Sequence, residues 1–531
     1  MAYKSAAAVR SPAALRLPHR HLLLPLLATV GVLVAVVLPP LGSRVARVGA
    51  PAAGHGVLTA FSPGAHLAGL LSLPAAAQAP ISAALERDLA ELTPSDGVGT
   101  LRHIGGSGGG GGEGGGGPSG GGDLFGWSVA TSGHTVVVGA PYHTAHSQAD
   151  SGAVYVFQMP AAGWASATQT AELTDSTLGA KRELGFSVAI SSDGHTIVAG
   201  APAGSEVPGN PNGVNTQGTV DVFTTTGRWT STSTPAARLT VAGAPKTEST
   251  LGGELGWSVA ISGHTIVAGA PYDPAYPSDG VAYVFNRPPG GWSGPQTQAA
   301  ELTEQAPPSN GDGFGSSVGI SGNTIVIGAV RYAPGGHEHG AAFVFSGPWS
   351  GNQTQTATLT ENNADPNSVD ELGWSVAVSG KTIVAGAPFH TVGSNLGQGA
   401  AYVFVMPATG RWLTTTQTAE LTAPDGQTGD NFGWSVAVSG HTIVAGALAR
   451  RIGQFENQGA AYVYTQPSHG WKTTNADTAE LTAKNGITFD NLGDSVAVSG
   501  ATIVAGAPRH NAGSQTSDFG AAYVFGPGPA S

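Results

Sequence analysis

The fifteen residues GWSVAVSGHTIVAGA, Gly433 to Ala447, occur again from Gly256 to Ala270 with one change, Ile261 in the place of Val438. A third copy runs from Gly373 to Ala387 with Lys381 in place of histidine, and looser copies begin at Gly126, Gly185, Gly315 and Gly493. The leading glycines of the seven copies are 59, 71, 59, 58, 60 and 60 residues apart. So regular a period marks one supersecondary unit repeated in tandem, each unit burying its apolar faces against its neighbours.

Each unit reads as four short strands divided by turn residues. In the sixth copy they are WSVAVS from Trp434, TIVAGA from Thr442, GAAYVY from Gly459 and TAELT from Thr478. The Ser-Gly-His link between the first two is long enough only for a tight hairpin, so these strands are antiparallel neighbours. Small Ser, Val and Ala side chains suit a first strand crowded near an axis, and the wider outer strands carry Tyr, Phe and Glu. The predicted fold is all-β: a seven-bladed β-propeller of four-stranded antiparallel blades, preceded by one N-terminal hydrophobic helix.

The composition agrees. The chain has 531 residues, 81 of them glycine, and only 11% are charged, as in a turn-rich β protein. No cysteine is present, which excludes disulfides, Cys-ligated zinc and thiol catalysis. Six of the 22 basic residues lie in the first fifty, which hold no acid, so the remainder sets 16 basic against 34 acidic groups. No basic field is left there to meet phosphates, and a nucleic-acid partner is not expected.

Residues 1–40 read as a signal peptide or N-terminal membrane anchor, because a basic start precedes seventeen uncharged residues, Leu22 to Leu38. The excess of positive charge before this segment places the repeats outside the membrane, secreted or anchored at the cell surface if the segment is uncleaved. Residues 41–89 form an Ala/Pro-rich tether, 105–122 a Gly-rich linker, and 123–525 the seven repeats. The seventh repeat lacks a fourth strand after Phe525. Ala90-Glu91-Leu92-Thr93 matches Ala419-Glu420-Leu421-Thr422, so residues 90–97 are expected to supply the closing strand of the last blade and the turn after it.

All ten tryptophans occupy two repeat positions: Trp127, Trp257, Trp374 and Trp434 after the leading glycine, and Trp164, Trp229, Trp292, Trp349, Trp412 and Trp471 at the fourth strand. Recurrence of this kind is expected to be inter-blade packing. The outer Glu172, Glu301, Glu420 and Glu480 read as a charged sheet edge, and Asp123, Asp312, Asp370, Asp430 and Asp490 as Asx-type turns.

Phe125-Gly126 with Gly139-Ala140-Pro141, Leu255-Gly256 with Gly269-Ala270-Pro271, and Phe432-Gly433 with Gly446-Ala447 resemble the FG-GAP repeat of integrin α-subunit propellers and many extracellular prokaryotic proteins. The resemblance implies a seven-bladed propeller, an extracellular setting and an adhesive or ligand-binding role. Many such repeats expand the first hairpin into an Asp-x-Asp-x-Asp-Gly calcium loop. Here the turns are SGHT, SSDGHT, SGHT, SGNT, SGKT, SGHT and SGAT, which lack that carboxylate set.

His134, His195, His264 and His441 share one repeat position, but equivalent sites on adjacent blades are too far apart to share an ion. His337-Glu338-His339 lies in a Gly-rich loop without another evident ligand. No metal, no cofactor and no catalytic set is expected. The loops after the GAP-like triplets vary and carry Tyr142, His143, Tyr272, Asp273, Arg331, Tyr332, Phe389, His390, Arg450, Arg451, Arg509 and His510, side chains suited to recognition on a rigid scaffold. The reading is a monomeric, non-catalytic propeller binding a protein or glycan through this face. A polysaccharide-acting hydrolase or lyase and a structural surface protein without a specific ligand are the alternatives.

Overall fold

The computed structural model describes residues 99–102 and 122–526, apart from 162, 165, 204–205, 208–209, 215–216, 243–252, 273–279, 306–310, 334–337, 363–368 and 512–518. The hydrophobic segment at 22–38, the tether, residues 90–97, and linker residues 105–121 lie outside the described residues. Among the described residues no helix is long and apolar enough to cross a membrane.

The seven predicted blades are present, each built on an antiparallel sheet whose strands run outward in chain order, except that the fourth strand of the seventh blade comes from ahead of the first blade. Blade 6 is typical: Phe432–Ser439, Thr442–Ala447, Ala460–Thr465 and Ala479–Leu481. Its second strand is buried by neighbours on both faces and reads as a nearly unbroken apolar run, TIVAGA. The core is correspondingly divided into seven layers, each shared by two adjacent blades. Trp471 and Tyr464 of blade 6, for example, pack with Val384 and Val403 of blade 5.

The consensus GWSVAVSGHT explains how the blades interlock. The serine two residues after the leading glycine donates its hydroxyl to the leading-glycine carbonyl of the next blade: Ser128 to Gly185 at 2.8 Å, Ser187 to Gly256 at 2.7 Å, Ser435 to Gly493 at 2.7 Å. Ser495 donates to Gly126 at 2.8 Å, closing the ring between the last blade and the first. At the other end of the strand the glycine N–H of the Ser-Gly turn donates to the preceding blade's serine, as Gly440 does to Ser379 and Gly133 to Ser499, each at 3.1 Å. Two hydrogen-bond belts thus run around the axis: the first has six such serine links, with Ser375 instead accepting from the Val436 N–H, and the second has five glycine links and is interrupted at blade 2, where the Ser132 hydroxyl donates to the Ser192 carbonyl. They use the same serines and glycines in nearly every unit, which accounts for the repetition of the stretch.

The outer edge differs from expectation. A short segment of the following blade adds a parallel fifth strand in several sheets: Gly294–Thr297 beside Ala237–Thr240, Gly351–Thr354 beside Ala300–Thr303, and Thr415–Thr416 beside Ala357–Thr360. These three outer strands are covered, and in blades 1 and 6, whose sheets keep four strands, the outer glutamates have partners of their own. Glu480 accepts a hydrogen bond from the Tyr462 hydroxyl at 3.3 Å, and Glu172 lies 3.6 Å from His143 Nε2.

The slot beside Ala521–Phe525, assigned from sequence to residues 90–97, is occupied by Gly99–Arg102. Leu101 pairs with Ala522 and is fully buried against Phe125, Trp164, Val504 and Val524. Gly99-Thr100-Leu101 is the counterpart of Ala357-Thr358-Leu359 in blade 4, where threonine also replaces the glutamate. What the slot demands is a small residue, a variable one and a leucine; the better match to the glutamate-containing consensus at 90–93 was a false guide.

Candidate functional site

Strand order places the second-to-third and fourth-to-first loops on one face of the ring. The first strands open there around an axial well of about 860 Å³ to which all seven blades contribute. The residue after each leading glycine lines it: Trp127, Phe186, Trp257, Ser316, Trp374, Trp434 and Asp494. The rings touch in two arcs across blade boundaries. Trp127 and Phe186 are 5.5 Å apart between centroids, Phe186 and Trp257 4.8 Å, and Trp374 and Trp434 4.5 Å.

The two classes of tryptophan therefore do different work. Trp164, Trp229, Trp292, Trp412 and Trp471 are buried between blades, as expected, and Trp349 is partly buried. Trp127, Trp257, Trp374 and Trp434 also pack across blades, but they remain half-buried and present ring surface to the well. Reading them as packing alone missed the site. The signal was available: this position varies among Trp, Phe, Ser and Asp, while the serine and valine after it recur in all seven units.

Of the residues expected on the recognition face, Tyr272 and Arg331 line the well. Tyr272 packs edge-on against Trp257 at 5.7 Å and is 52% exposed. Phe389 stands against Trp374 and Trp434 at 5.8 and 6.4 Å. Arg451 and Arg509 are exposed, Tyr142 is half-buried, and Asp273 lies outside the described residues.

The others lie beneath the face, in polar clusters that tie its loops together. His143 is 2.8 Å from Asp123, His510 2.9 Å from Asp490, and Arg450 3.2 Å from Asp430. Tyr332 packs edge-on against Phe343 at 5.1 Å. His390 is described below. The aspartates three residues ahead of the leading glycine are thus more than turn formers, although Asp430 and Asp490 do also accept backbone N–H bonds from Gln427 and Ile487. Burial disfavours charge on Arg450, but Tyr462, Asp425, Asp430 and Glu480 outweigh it and raise its pKa. Blade 2 reverses these charges: Arg182 takes the aspartate position, and Asp221, in the place of the third-strand tyrosine, pairs with Arg238.

Asp494 is the one carboxylate in the ring of residues after the leading glycines. Burial pushes its pKa up to about 7, while Arg509 and the Trp434 indole draw it back. With the folded value above the usual 3.8, the folded state holds this proton more tightly. Stability from this group is therefore full below about pH 4 and is lost as pH rises toward 7. Asp494→Asn should flatten that loss, so its melting temperature should gain on the parent's between pH 5 and 8. An unchanged difference would mean that the carboxyl is hydrated and ionised throughout.

The fold and the well define a class: a β-propeller presenting an aromatic axial depression on its loop-bearing face. A model of the FG-GAP repeat matches residues 119–157, 252–285, 297–345, 353–404, 415–464 and 476–525, just over half of the chain, and the protein belongs to that family. The matched segments leave out the charge-reversed second blade, which the repeat register and the structure both supply. No curated protein matches the chain. The FG-GAP propeller fits a ligand-binding or interaction role and is typically non-catalytic, and such repeats are typical of extracellular or surface proteins.

Proposed function

We propose that the protein is a non-catalytic, extracellular or surface-anchored binding module that seats part of a glycan or protein ligand in the axial well. The observation carrying this reading is the pair of aromatic arcs, Trp127-Phe186-Trp257 and Trp374-Trp434, half-buried at the mouth of a rigid scaffold. Flat apolar ring faces flanked by Arg331, Glu371 and Asp494 suit a ligand with both C–H surface and polar edges. A sugar ring and an aromatic side chain share that character. The rings are held by contacts with each other, so little side-chain entropy remains to be lost on binding.

The test is a glycan and protein array probed with the parent and with Trp257→Ala and Trp434→Ala. A bound ligand should lose about 2 kcal/mol of affinity in either variant, roughly 30-fold, as for other central aromatic anchors. Both variants should remain folded, because these indoles are only half-buried. Binding indifferent to both changes would move the site off the well, and saturable turnover of a glycan would establish an enzyme instead.

A further inference from the structure

At the seam between blades 4 and 5 four side chains converge beneath the loop face. His339 precedes the third strand of blade 4, Ala341–Ser346, and Glu361 follows its outer strand, Ala357–Thr360. Asp370 precedes the first strand of blade 5, and His390 follows its second strand, Thr382–Ala387. His339 Nδ1 lies 3.6 Å from Asp370 Oδ2 and 4.0 Å from Glu361 Oε1. His390 Nδ1 lies 3.4 Å from Asp370 Oδ1 and 3.8 Å from Glu361 Oε2.

These separations are long for hydrogen bonds. The Glu361 side chain is 2% exposed and that of His390 7%; His390 Nδ1 has no partner in hydrogen-bonding geometry, and the Glu361 carboxyl has only the Asp370 carboxyl and the Tyr402 hydroxyl beside it, neither well aligned. Leaving such groups buried and unmatched is costly. The spacing suits a shared ion: one ligand atom each of His339, Glu361 and Asp370 lies within 4.8 Å of the others, where ligands of a tetrahedral centre stand about 3.3–3.6 Å apart, and His390, on the opposite oxygens of the same two carboxylates, swings in as the fourth ligand when they contract around the ion.

The repeat supplies its own control. Gln398 and Gln458 hold the position of His339 in blades 5 and 6, and Ala423 and Ala483 hold that of Glu361. There the glutamine amide donates to the alanine carbonyl, at 3.1 Å for Gln458 and Ala483. The scaffold is satisfied by Gln with Ala. Blade 4 replaces both at once, with the residue types that bind metals, and sets them against a second histidine and an aspartate.

We propose that His339, His390, Glu361 and Asp370 bind one divalent transition-metal ion of the zinc type, clamping blade 4 to blade 5. Two imidazole nitrogens with two carboxylates favour such an ion over calcium, which prefers six to eight oxygens. The dication neutralises both buried carboxylates. This site is separate from the axial well, and the proposal does not depend on what the well binds.

The test uses the full, untagged chain, stripped with EDTA and titrated with Co(II) and Zn(II). One equivalent of Co(II) should give the intense visible bands of tetrahedral coordination, Zn(II) should abolish them, and the melting temperature should rise with either metal. His339→Gln combined with Glu361→Ala installs the pair that blades 5 and 6 carry. It should fold, lose the bands and weaken zinc binding on the order of 100-fold. His390→Phe, which keeps a ring against Tyr402 where the imidazole now packs edge-on at 5.7 Å, should do the same. Absence of stoichiometric binding in the parent, bands that survive in both variants, or calcium competing out zinc would each overturn the site.

Discussion

Gly446→Ala should be among the most damaging single-methyl additions in this chain. A Cβ at Gly446 would lie inside the contact distance of the Gly493 carbonyl oxygen and 2.8 Å from its carbon, and it would also strike the Ser435 hydroxyl. Neither neighbour can give way. Ser435 is held by its 2.7 Å bond to that same carbonyl, and Gly493 by its own N–H bond to the Gly506 carbonyl at 2.9 Å. Separating the blades enough to admit the methyl would break one link of the belt. The expected loss is about 3 kcal/mol or more from overpacking and the broken hydrogen bond. Gly440→Ala is the comparison: it has φ of +58° but open space around it, and should cost about 1 kcal/mol. Denaturant midpoints decide the matter, and a larger effect at Gly440 than at Gly446 would refute the close-packed contact between blades.

The second large effect concerns how the ring is closed. Leu101→Ala should destabilise by about 3 kcal/mol, because the side chain is fully buried in the layer shared by blades 7 and 1. Leu92→Ala should be neutral. A chain beginning at residue 105 removes the pairing of Gly99–Arg102 with Ala521–Phe525, leaves the third strand of blade 7 as a bare edge, and should self-associate as well as lose stability. If it stays monomeric and melts with the full chain, the closing strand has been misplaced. If Leu92→Ala is the damaging variant, the slot belongs to residues 90–97.

The number of blades, their strand order and the hairpin joining the first two strands could be read from residues 123–525. These features depend on short-range spacing: a run such as TIVAGA, a Ser-Gly turn and a fixed period limit a local unit to very few shapes. The same local reading showed which loops share a face of the ring, because chain order alone decides that.

What each side chain meets there depends on which blade it faces, and that was settled only by closing the ring. Trp127 and Trp164 are both repeated tryptophans, yet one borders the axial well and the other fills a gap between blades, since blades converge at the axis and diverge outward. His143 and Tyr272 both follow a GAP-like triplet, but an aspartate from the fourth-to-first loop draws the histidine under the face while the tyrosine packs on Trp257 at the surface. Glu361 and His390 are 29 positions apart and become neighbours because the outer strand of blade 4 and the second strand of blade 5 end at one seam. The sequence by itself determined the unit and its repetition, through local geometry. Only the tertiary structure decided the closing strand, the well and the buried polar clusters, because each is assembled from blades whose contacts the period does not encode.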